Sequence, residues 1–282
     1  MSARLAPLAV AGLTAVLAAG CPARPCPATT FTSAERAVSH YRDMRRPVRV
    51  LRAEARVDRR GSEGRIRGTV LMFVERPDHV RFDAMTQIMG AAAVLTSDGQ
   101  RFALMDLQEN RFYVGPTCPA NIERLLGLRF SGDEVTRLLL GDTPLIEHEE
   151  RDIHCEDGAY RVTLHGVDGR RQELVLEVRE RDLRAAPEAQ RMRLRRSEVF
   201  APGGATEWRV TYDDYRFVED PLDDQRPRRG VVMPFSVRFE DPRRDQDTLV
   251  RFQEVDLNVE VPPGTFQQRP RPGLTIEEVT CD

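Results

Sequence analysis

The sequence predicts a mainly β protein with a few helices, in which roughly eleven or twelve strands form one curved antiparallel sheet. Apolar and polar residues alternate over most of the chain, as is typical of a sheet with one wet face and one apolar face. Turn sequences such as Ser97-Asp98-Gly99 join consecutive strands, and the strands do not alternate with helices. These observations favour an antiparallel sheet over a parallel one.

The first twenty residues have the pattern of a secretory signal peptide. Residues 5–19 are apolar and uncharged, a run too short to span a bilayer but suited to a signal-peptide core. Residues 17–21 (LAAGC) resemble the lipobox of bacterial lipoproteins, with Ala18 where leucine is commoner. We therefore expect cleavage before Cys21 and a lipid anchor, palmitate included, on that cysteine. The alternative is a conventional cleavage that leaves Cys21 as a disulfide partner.

The residues after Cys21 indicate where the anchor would lie. Pro22 resembles the enterobacterial sorting signal for the cell outer membrane, so we expect an outer-membrane anchor with the protein facing the periplasm. Residues 21–30 are rich in proline and small side chains, which suits a tether, and residues 31–282 are expected to form a single domain. The sequence has no second apolar run of membrane-spanning length, so the lipid would be the only anchor.

Composition excludes several classes of function. The formal net charge is −3, which gives no overall attraction to nucleic acid. All 42 basic residues are arginine, so a Walker phosphate loop and Schiff-base chemistry, which both need lysine, are excluded. His148 and His154 flank Glu149, but they are not at the four-residue spacing of a metalloprotease zinc site. We find no catalytic constellation, and we predict a protein that is not an enzyme and that needs no metal or cofactor.

The folded part is predicted to begin with a helix and to continue in hairpins. Residues 32–43 form the helix, because Ala37, Val38 and Tyr41 are spaced for one apolar face. Alternation and turn sequences then predict strands at residues 49–57, 65–75, 80–84, 93–96, 102–107 and 112–114.

Two short amphipathic helices are predicted to interrupt the strands. Apolar residues three and four apart place them at residues 122–126 and 135–139, the second after a cap at residues 131–133. The remaining strands are predicted at residues 160–164, 174–178, 192–194, 208–212, 231–239 and 249–259.

Arginines alternate with apolar residues from Arg191 to Arg196. Arg191, Arg193 and Arg195 would face one side of a strand, with Met192 and Leu194 on the other. We interpret the row as the wet face of the sheet. Contact with anionic lipid head groups is the alternative.

Four cysteines remain once Cys21 is assigned to the lipid, namely Cys26, Cys118, Cys155 and Cys281. Export to an oxidising compartment favours disulfides, and four cysteines allow three pairings. We favour Cys118 with Cys155, which would bracket the helical insertion, and Cys26 with Cys281, which would tie the two ends of the domain together. No C-x-x-C spacing suggests a redox role.

Several segments together resemble the LolA/LolB lipoprotein-carrier superfamily, its LolB-like outer-membrane members in particular. Residues 82–84 and 87–95 are similar to its strand, protruding loop and returning strand. Residues 122–128 and 135–144 are similar to its paired helices with a leucine- and glycine-rich close. Residues 261–266 (VPPGTF) resemble its last-strand ending. The order of these segments carries the resemblance, because no single motif is specific.

The resemblance implies an unclosed β-barrel with a helical lid, whose apolar face accommodates acyl chains of other lipoproteins. It implies cargo delivered by a periplasmic LolA-like carrier and released to the outer membrane. A structural or assembly lipoprotein that contacts a protein partner is the alternative. The side chains expected to line the acyl cavity, which in a filled core would show the same pattern, are Val80, Phe82, Leu104, Leu164, Leu176, Leu194, Trp208 and Phe235.

The resemblance also singles out residues 88–90 as a loop that contacts membrane or cargo. Ile88 and Met89 are two large apolar residues in a connection that would normally be polar, followed by Gly90. Met89 falls where the family carries the leucine tied to cargo release, whereas Ile88 replaces the usual proline. The alternative is that Met89 folds back into the core.

Overall fold

The computed structural model describes residues 23–62, 64–86, 90–127, 129–220 and 230–281. Within them the chain forms three helices and one sheet of fourteen strands, so the predicted mainly β fold with a single curved, unclosed sheet is confirmed. The strands are β1 Val50–Gly61, β2 Gly64–Glu75, β3 His79–Thr86, β4 Gly90–Asp98, β5 Arg101–Asp106, β6 Arg111–Pro116, β7 His148–Glu156, β8 Ala159–Gly166, β9 Arg171–Val178, β10 Met192–Phe200, β11 Thr206–Glu219, β12 Gly230–Asp241, β13 Gln246–Leu257 and β14 Thr275–Glu278.

The strand order follows from hairpins and two long-range pairings. Consecutive strands pair antiparallel from β1 to β6 and from β7 to β13. Strand β1 also pairs with β13, with Leu51 opposite Leu257, which joins the two halves of the chain. Strand β14 adds to β6 in parallel, so β14 and β7 form the two edges of the sheet.

Side-chain caps start two of the three helices, and a proline stands at the start of the other. Helix α1, Ala34–Asp43, starts after Ser33, whose hydroxyl accepts a hydrogen bond from Arg36 N. Helix α2, Pro119–Leu126, has proline at its first position and ends at the left-handed Gly127. Helix α3, Gly132–Leu139, has a capping box in which the backbone and side chains of Ser131 and Glu134 bond reciprocally. Among the described helices, none is long and apolar enough to cross a membrane.

The main core lies between the helices and one face of the sheet. Helix α1 contacts β7, α2 contacts β4 and β5, and α3 contacts β3. Alternate residues of the strands, such as Leu51, Ala53 and Ala55 of β1, are buried on this face. We call it the helix-covered face.

A second, smaller apolar cluster is separate from the main core. It consists of Val94, Ala103, Met105 and Phe112 on β4, β5 and β6, with Leu274 packed against it. Gln268 Nε2 donates to Val94 O at 2.8 Å and to Ala103 O at 2.9 Å. Residues 258–281, here called the C-terminal strap, therefore cover this cluster before they end as β14 and Cys281.

The disulfide pairing expected from the sequence is wrong. The structure joins Cys26 to Cys155 and Cys118 to Cys281, with 6.0 Å between the Cα atoms of each pair. Cys118 follows β6 and Cys155 lies on β7, so the helical insertion carries the chain from one side of the sheet to the opposite edge. The expected pairing of Cys118 with Cys155 relied on their proximity in sequence, which does not bring them together in the fold. Each disulfide instead fixes one terminal segment to the sheet or to α2.

Candidate functional site

A cleft opens between helix α1 and strands β7 and β8. Its cavity of about 340 Å³ has walls formed by Ala34, Val38, Leu145 and Leu164. The remaining lining residues are polar or charged and comprise Glu35, Ser39, Arg42, Asp43, Arg46, His148 and Arg151. We call this the α1–β7 cleft. An apolar wall beside charged side chains can hold an alkyl chain that carries a polar or anionic group.

Four charged side chains of the α1–β7 cleft are paired with one another. Arg46 donates to Asp43 at 2.6 Å, and Arg151 lies 3.7 Å from Glu35. These pairs are largely exposed and contribute little to stability, so a ligand can displace them at small cost.

Buried polar groups fix the position of helix α1 above the cleft. The Tyr41 hydroxyl donates to Gly141 O, and Arg45 Nη1 donates to Val232 O at 2.5 Å. Burial raises the pKa of Tyr41 to about 12, opposed by the positive charge of Arg45 and reinforced by the negative charge of Asp142. Tyr41 lies on α1 and Arg45 just after it, and both side chains are almost fully buried. Helix α1 therefore cannot shift without breaking these bonds.

Arg42 joins the cleft to a neighbouring polar depression. Its Nε lies 3.6 Å from the buried carboxylate of Asp142, whose other oxygen lies 3.6 Å from Arg137 Nη1. Arg42 Nη2 also donates to Thr143 O at 3.1 Å. Arg42 and Leu145 line both the cleft and the depression, which also includes Ser131 and Arg137. The two openings therefore share one guanidinium group.

The side chains predicted to line an acyl cavity lie in or against the main core. Seven are at most 8% exposed, and the indole of Trp208 packs edge-on against Phe130 with 5.6 Å between ring centroids. Leu164 also lines the α1–β7 cleft. The close packing fits the filled-core alternative for most of the set, and their role in binding acyl chains stays a prediction. The set is Val80, Phe82, Leu104, Leu164, Leu176, Leu194, Trp208 and Phe235.

The other predicted site residues are divided between the described and undescribed parts of the chain. Cys21, Ile88 and Met89 lie outside the described residues. Gly90 begins β4 opposite Thr86. In the described residues, no group of three or more His, Cys, Asp and Glu side chains is arranged to hold a metal ion.

The sequence did not predict the α1–β7 cleft, because strand β7 was missed. Residues 148–156 (HEERDIHCE) are mostly charged, and Ile153 is the sole aliphatic side chain among them. Strand β7 is an edge strand and exposes most of its side chains, which hides the period of two. The alternation of Arg151, Ile153 and Cys155, which all face the cleft or the core, was the available signal.

Comparison with solved structures supports the same fold. A LolA superfamily protein from Nitrosomonas europaea aligns over 84% of this chain and 99% of its own, with a TM-score of 0.51 and 10% identity. A DUF1329 family protein from Desulfovibrio piger aligns over 84% and 98%, with a TM-score of 0.51 and 11% identity. No protein-family model matches the sequence, and no curated protein shows significant sequence similarity to it. The chain therefore shares the fold of LolA-superfamily proteins.

Proposed function

We propose that this protein is an outer-membrane lipoprotein, acylated at Cys21, that binds acyl chains of other lipoproteins and helps to localise them. The observation that carries the proposal is the α1–β7 cleft, which places an apolar wall beside arginines on a sheet of LolA-superfamily fold. The lipobox at residues 17–21 and the likeness to LolB-like members support the location. The role is binding and transfer, without catalysis, and a periplasmic LolA-like carrier would deliver the cargo.

The size of the cleft limits how the proposed ligand would bind. Each buried methylene contributes about 0.8 kcal/mol, whereas association costs roughly 4 to 15 kcal/mol. Several methylenes must therefore be buried before binding becomes favourable. A cavity of about 340 Å³ suits a partly inserted chain, whose polar end would meet Arg42, Arg46 or Arg151 at the opening.

Binding of a triacylated peptide tests the proposal. Leu145 is a half-buried wall residue shared by both openings, so Leu145→Glu should weaken binding at least about tenfold by placing a charge in the apolar wall. Val167→Glu is the matched control, since Val167 is 54% exposed on a turn outside the cleft. Thermal unfolding of both variants checks that the fold is kept. No binding by the unmodified protein, or equal binding by Leu145→Glu, would contradict the proposal.

Acylation of Cys21 has its own test. Cells grown with a fatty-acid analogue should label the protein, and Cys21→Ser should lose both the label and membrane fractionation. A Cys21→Ser protein that keeps both would show that the anchor lies elsewhere.

A structural or assembly lipoprotein is the second candidate, favoured by the exposed side chains of edge strand β7. An edge strand offers unpaired backbone groups to a protein partner. Mass spectrometry of the gently extracted protein separates the two candidates. Copurifying acylated peptides support carriage, whereas a stoichiometric protein partner supports assembly.

A further inference from the structure

Residues 24–26, near the start of the described chain, are fixed beside the turn between β7 and β8. The disulfide joins Cys26 to Cys155 near the end of β7. Arg24 N donates to Asp157 Oδ1 at 2.7 Å, and the Arg24 guanidinium pairs with Glu177 of β9. The chain therefore leaves the fold next to β7, β8 and β9.

The distance from this place to the proposed anchor is short. Cys26 lies five positions after Cys21, and five extended residues span at most roughly 18 Å. A lipid on Cys21 would therefore hold this part of the surface close to the bilayer.

Arginines are concentrated on the same part of the surface. Arg179 N bonds to Arg191 O at 3.1 Å, which closes the connection between β9 and β10. Arg193 lies opposite Glu177 in the register of these strands, and Glu177 is the partner of Arg24. We call the following set the anchor-side patch: Arg24, Arg179, Arg181, Arg191 and Arg193.

The acidic partners of the anchor-side patch are more buried than its arginines. The side chain of Arg24 is 69% exposed and that of its partner Glu177 is 20% exposed. The side chain of Arg191 is 59% exposed, whereas that of Asp182 is 10% exposed. Arg24 and Arg191 therefore reach further into solvent than the carboxylates with which they pair. Glu180 and Glu188 are exposed acidic residues in the same connection, and Glu156 and Asp157 are exposed in the turn between β7 and β8. Glu188 pairs with Arg36, Glu156 pairs with Arg161, and Asp157 accepts from Arg24 N.

The arginines are also close enough to repel one another. Burial lowers the pKa of Arg179, and the positive charges of Arg181, Arg191 and Arg193 lower it further, with Asp182 opposing them. An anionic surface would relieve this repulsion.

We propose that the anchor-side patch contacts anionic phospholipid head groups of the bilayer that holds the Cys21 lipid. The inference rests on the proposed acylation of Cys21, and it adds an electrostatic contact to the lipid anchor. Lipid-anchored proteins commonly combine an acyl chain with basic residues near the membrane, because each contributes to binding. The disulfide from Cys26 to Cys155 keeps the arginines beside the tether. The patch therefore orients the protein on the membrane.

Vesicle sedimentation with the mature Cys21→Ser chain, which carries no lipid, tests the contact. It should bind vesicles of phosphatidylcholine containing about one-third phosphatidylglycerol, more weakly as salt is raised, and should leave pure phosphatidylcholine vesicles unbound. Replacing Arg179, Arg181 and Arg191 by glutamine should weaken binding on the order of a hundredfold. Replacing them by lysine should preserve most of it.

A variant with the same change in charge provides the control. Arg56, Arg60 and Arg251 are exposed on the central strands β1 and β13, and their replacement by glutamine should leave vesicle binding unchanged. Equal binding by the patch and control variants, or equal binding to both kinds of vesicle, would overturn the proposal. Thermal unfolding checks that the variants are folded.

A second measurement uses the lipidated full-length protein. In anionic vesicles, Arg179, Arg181 and Arg191 should become protected from phenylglyoxal, whereas Arg56 and Arg251 should react as they do in phosphatidylcholine vesicles. Absence of this protection would overturn the proposal. If the protein failed to bind a triacylated peptide, the protection of the patch arginines would still support membrane contact. Only the proposed function would then be contradicted. Absence of a lipid on Cys21 would appear separately as a failure to anchor in phosphatidylcholine vesicles.

Discussion

The two ends of the chain are both fixed by disulfides, but different non-covalent forces hold them. The N-terminal part, residues 23–46, packs apolar side chains of α1 into the main core and adds buried polar groups, the Tyr41 hydroxyl and the Arg45 guanidinium. Tyr160 continues this pattern, since its hydroxyl accepts from Phe31 N at 3.2 Å and donates to Gln190 at 2.7 Å. The C-terminal strap instead packs Leu274 on an apolar cluster and pairs β14 with β6.

This difference predicts different sensitivities. Buried hydrogen bonds and charges respond to pH, because ionisation inside the fold is costly. Apolar packing and strand pairing respond to changes in shape. The N-terminal part should therefore loosen at extreme pH and the C-terminal strap after steric changes, although the disulfides constrain the two ends to a similar degree.

The largest expected effect comes from the disulfides. They join cysteines that are 129 and 163 positions apart in the sequence. The loss of chain entropy therefore predicts about 5 kcal/mol of unfolding free energy for each disulfide. Replacing both cysteines of either pair by serine should lower stability by that order in denaturant titrations. Only loss of Cys118–Cys281 should also increase binding of an apolar dye, because the strap covers an apolar cluster. Equal dye binding by the two double variants would contradict the comparison.

The second effect concerns pH and the N-terminal part. The pKa of Tyr41 is raised to about 12, so the neutral form stabilises the fold fully below pH 10, and this stabilisation is lost as pH rises towards 12. The loss should be on the order of 3 kcal/mol. Tyr41→Phe should make stability fall less steeply with pH over this range, while Tyr212 and Tyr215, whose pKa values are also raised by burial, keep part of the dependence. If Tyr41→Phe leaves the slope of stability against pH unchanged, ionisation of Tyr41 does not contribute to it.

The third effect concerns the close approach of strap and sheet. A Cβ atom on Gly115 of β6 would lie 2.2 Å from Val279 O, so Gly115→Ala should push the strap away and cost about 1 to 3 kcal/mol. Gly203 is the control, since nothing lies within 4 Å of a Cβ atom there. Gly203→Ala should stay within about 0.5 kcal/mol of the unmodified protein in thermal unfolding. A similar loss of stability in Gly115→Ala and Gly203→Ala would show that the strap is not in close contact with Gly115.

The smallest effect on stability is expected at Met89, in the connection between β3 and β4. If Met89 contacts membrane or cargo, as the sequence predicts, Met89→Glu should leave thermal stability nearly unchanged and reduce delivery of lipoprotein to liposomes. One such apolar side chain contributes roughly 1.5 to 3 kcal/mol when buried, enough to bias a transfer step. A loss of several kcal/mol in stability would place Met89 in the core instead.

Local signals in the sequence predicted much of the fold. The spacing of Ala37, Val38 and Tyr41 located α1, and the cap at residues 131–133 located α3. These features depend on residues within one or two turns of the helix. The alternation of apolar and polar residues along strands with one buried face likewise predicted the antiparallel sheet.

Long-range features could not be predicted in the same way. The pairing of Cys26 with Cys155 depends on where the chain crosses the sheet, which no local pattern records. The parallel addition of β14 to β6 involves four mostly exposed residues, Thr275–Glu278, with little alternation. Whether apolar side chains fill a core or line a cavity depends on the sum of their volumes against the curvature of the sheet.

The pairing of β1 with β13 has a consequence for biogenesis. Leu51 finds its partner Leu257 only after nearly the whole chain has been made, so until then β1 has one open strand edge. Pairing so distant in sequence gives a high contact order and slow folding. We expect the newly made chain to need a chaperone until it is complete, and a chain truncated before residue 246 to aggregate on refolding.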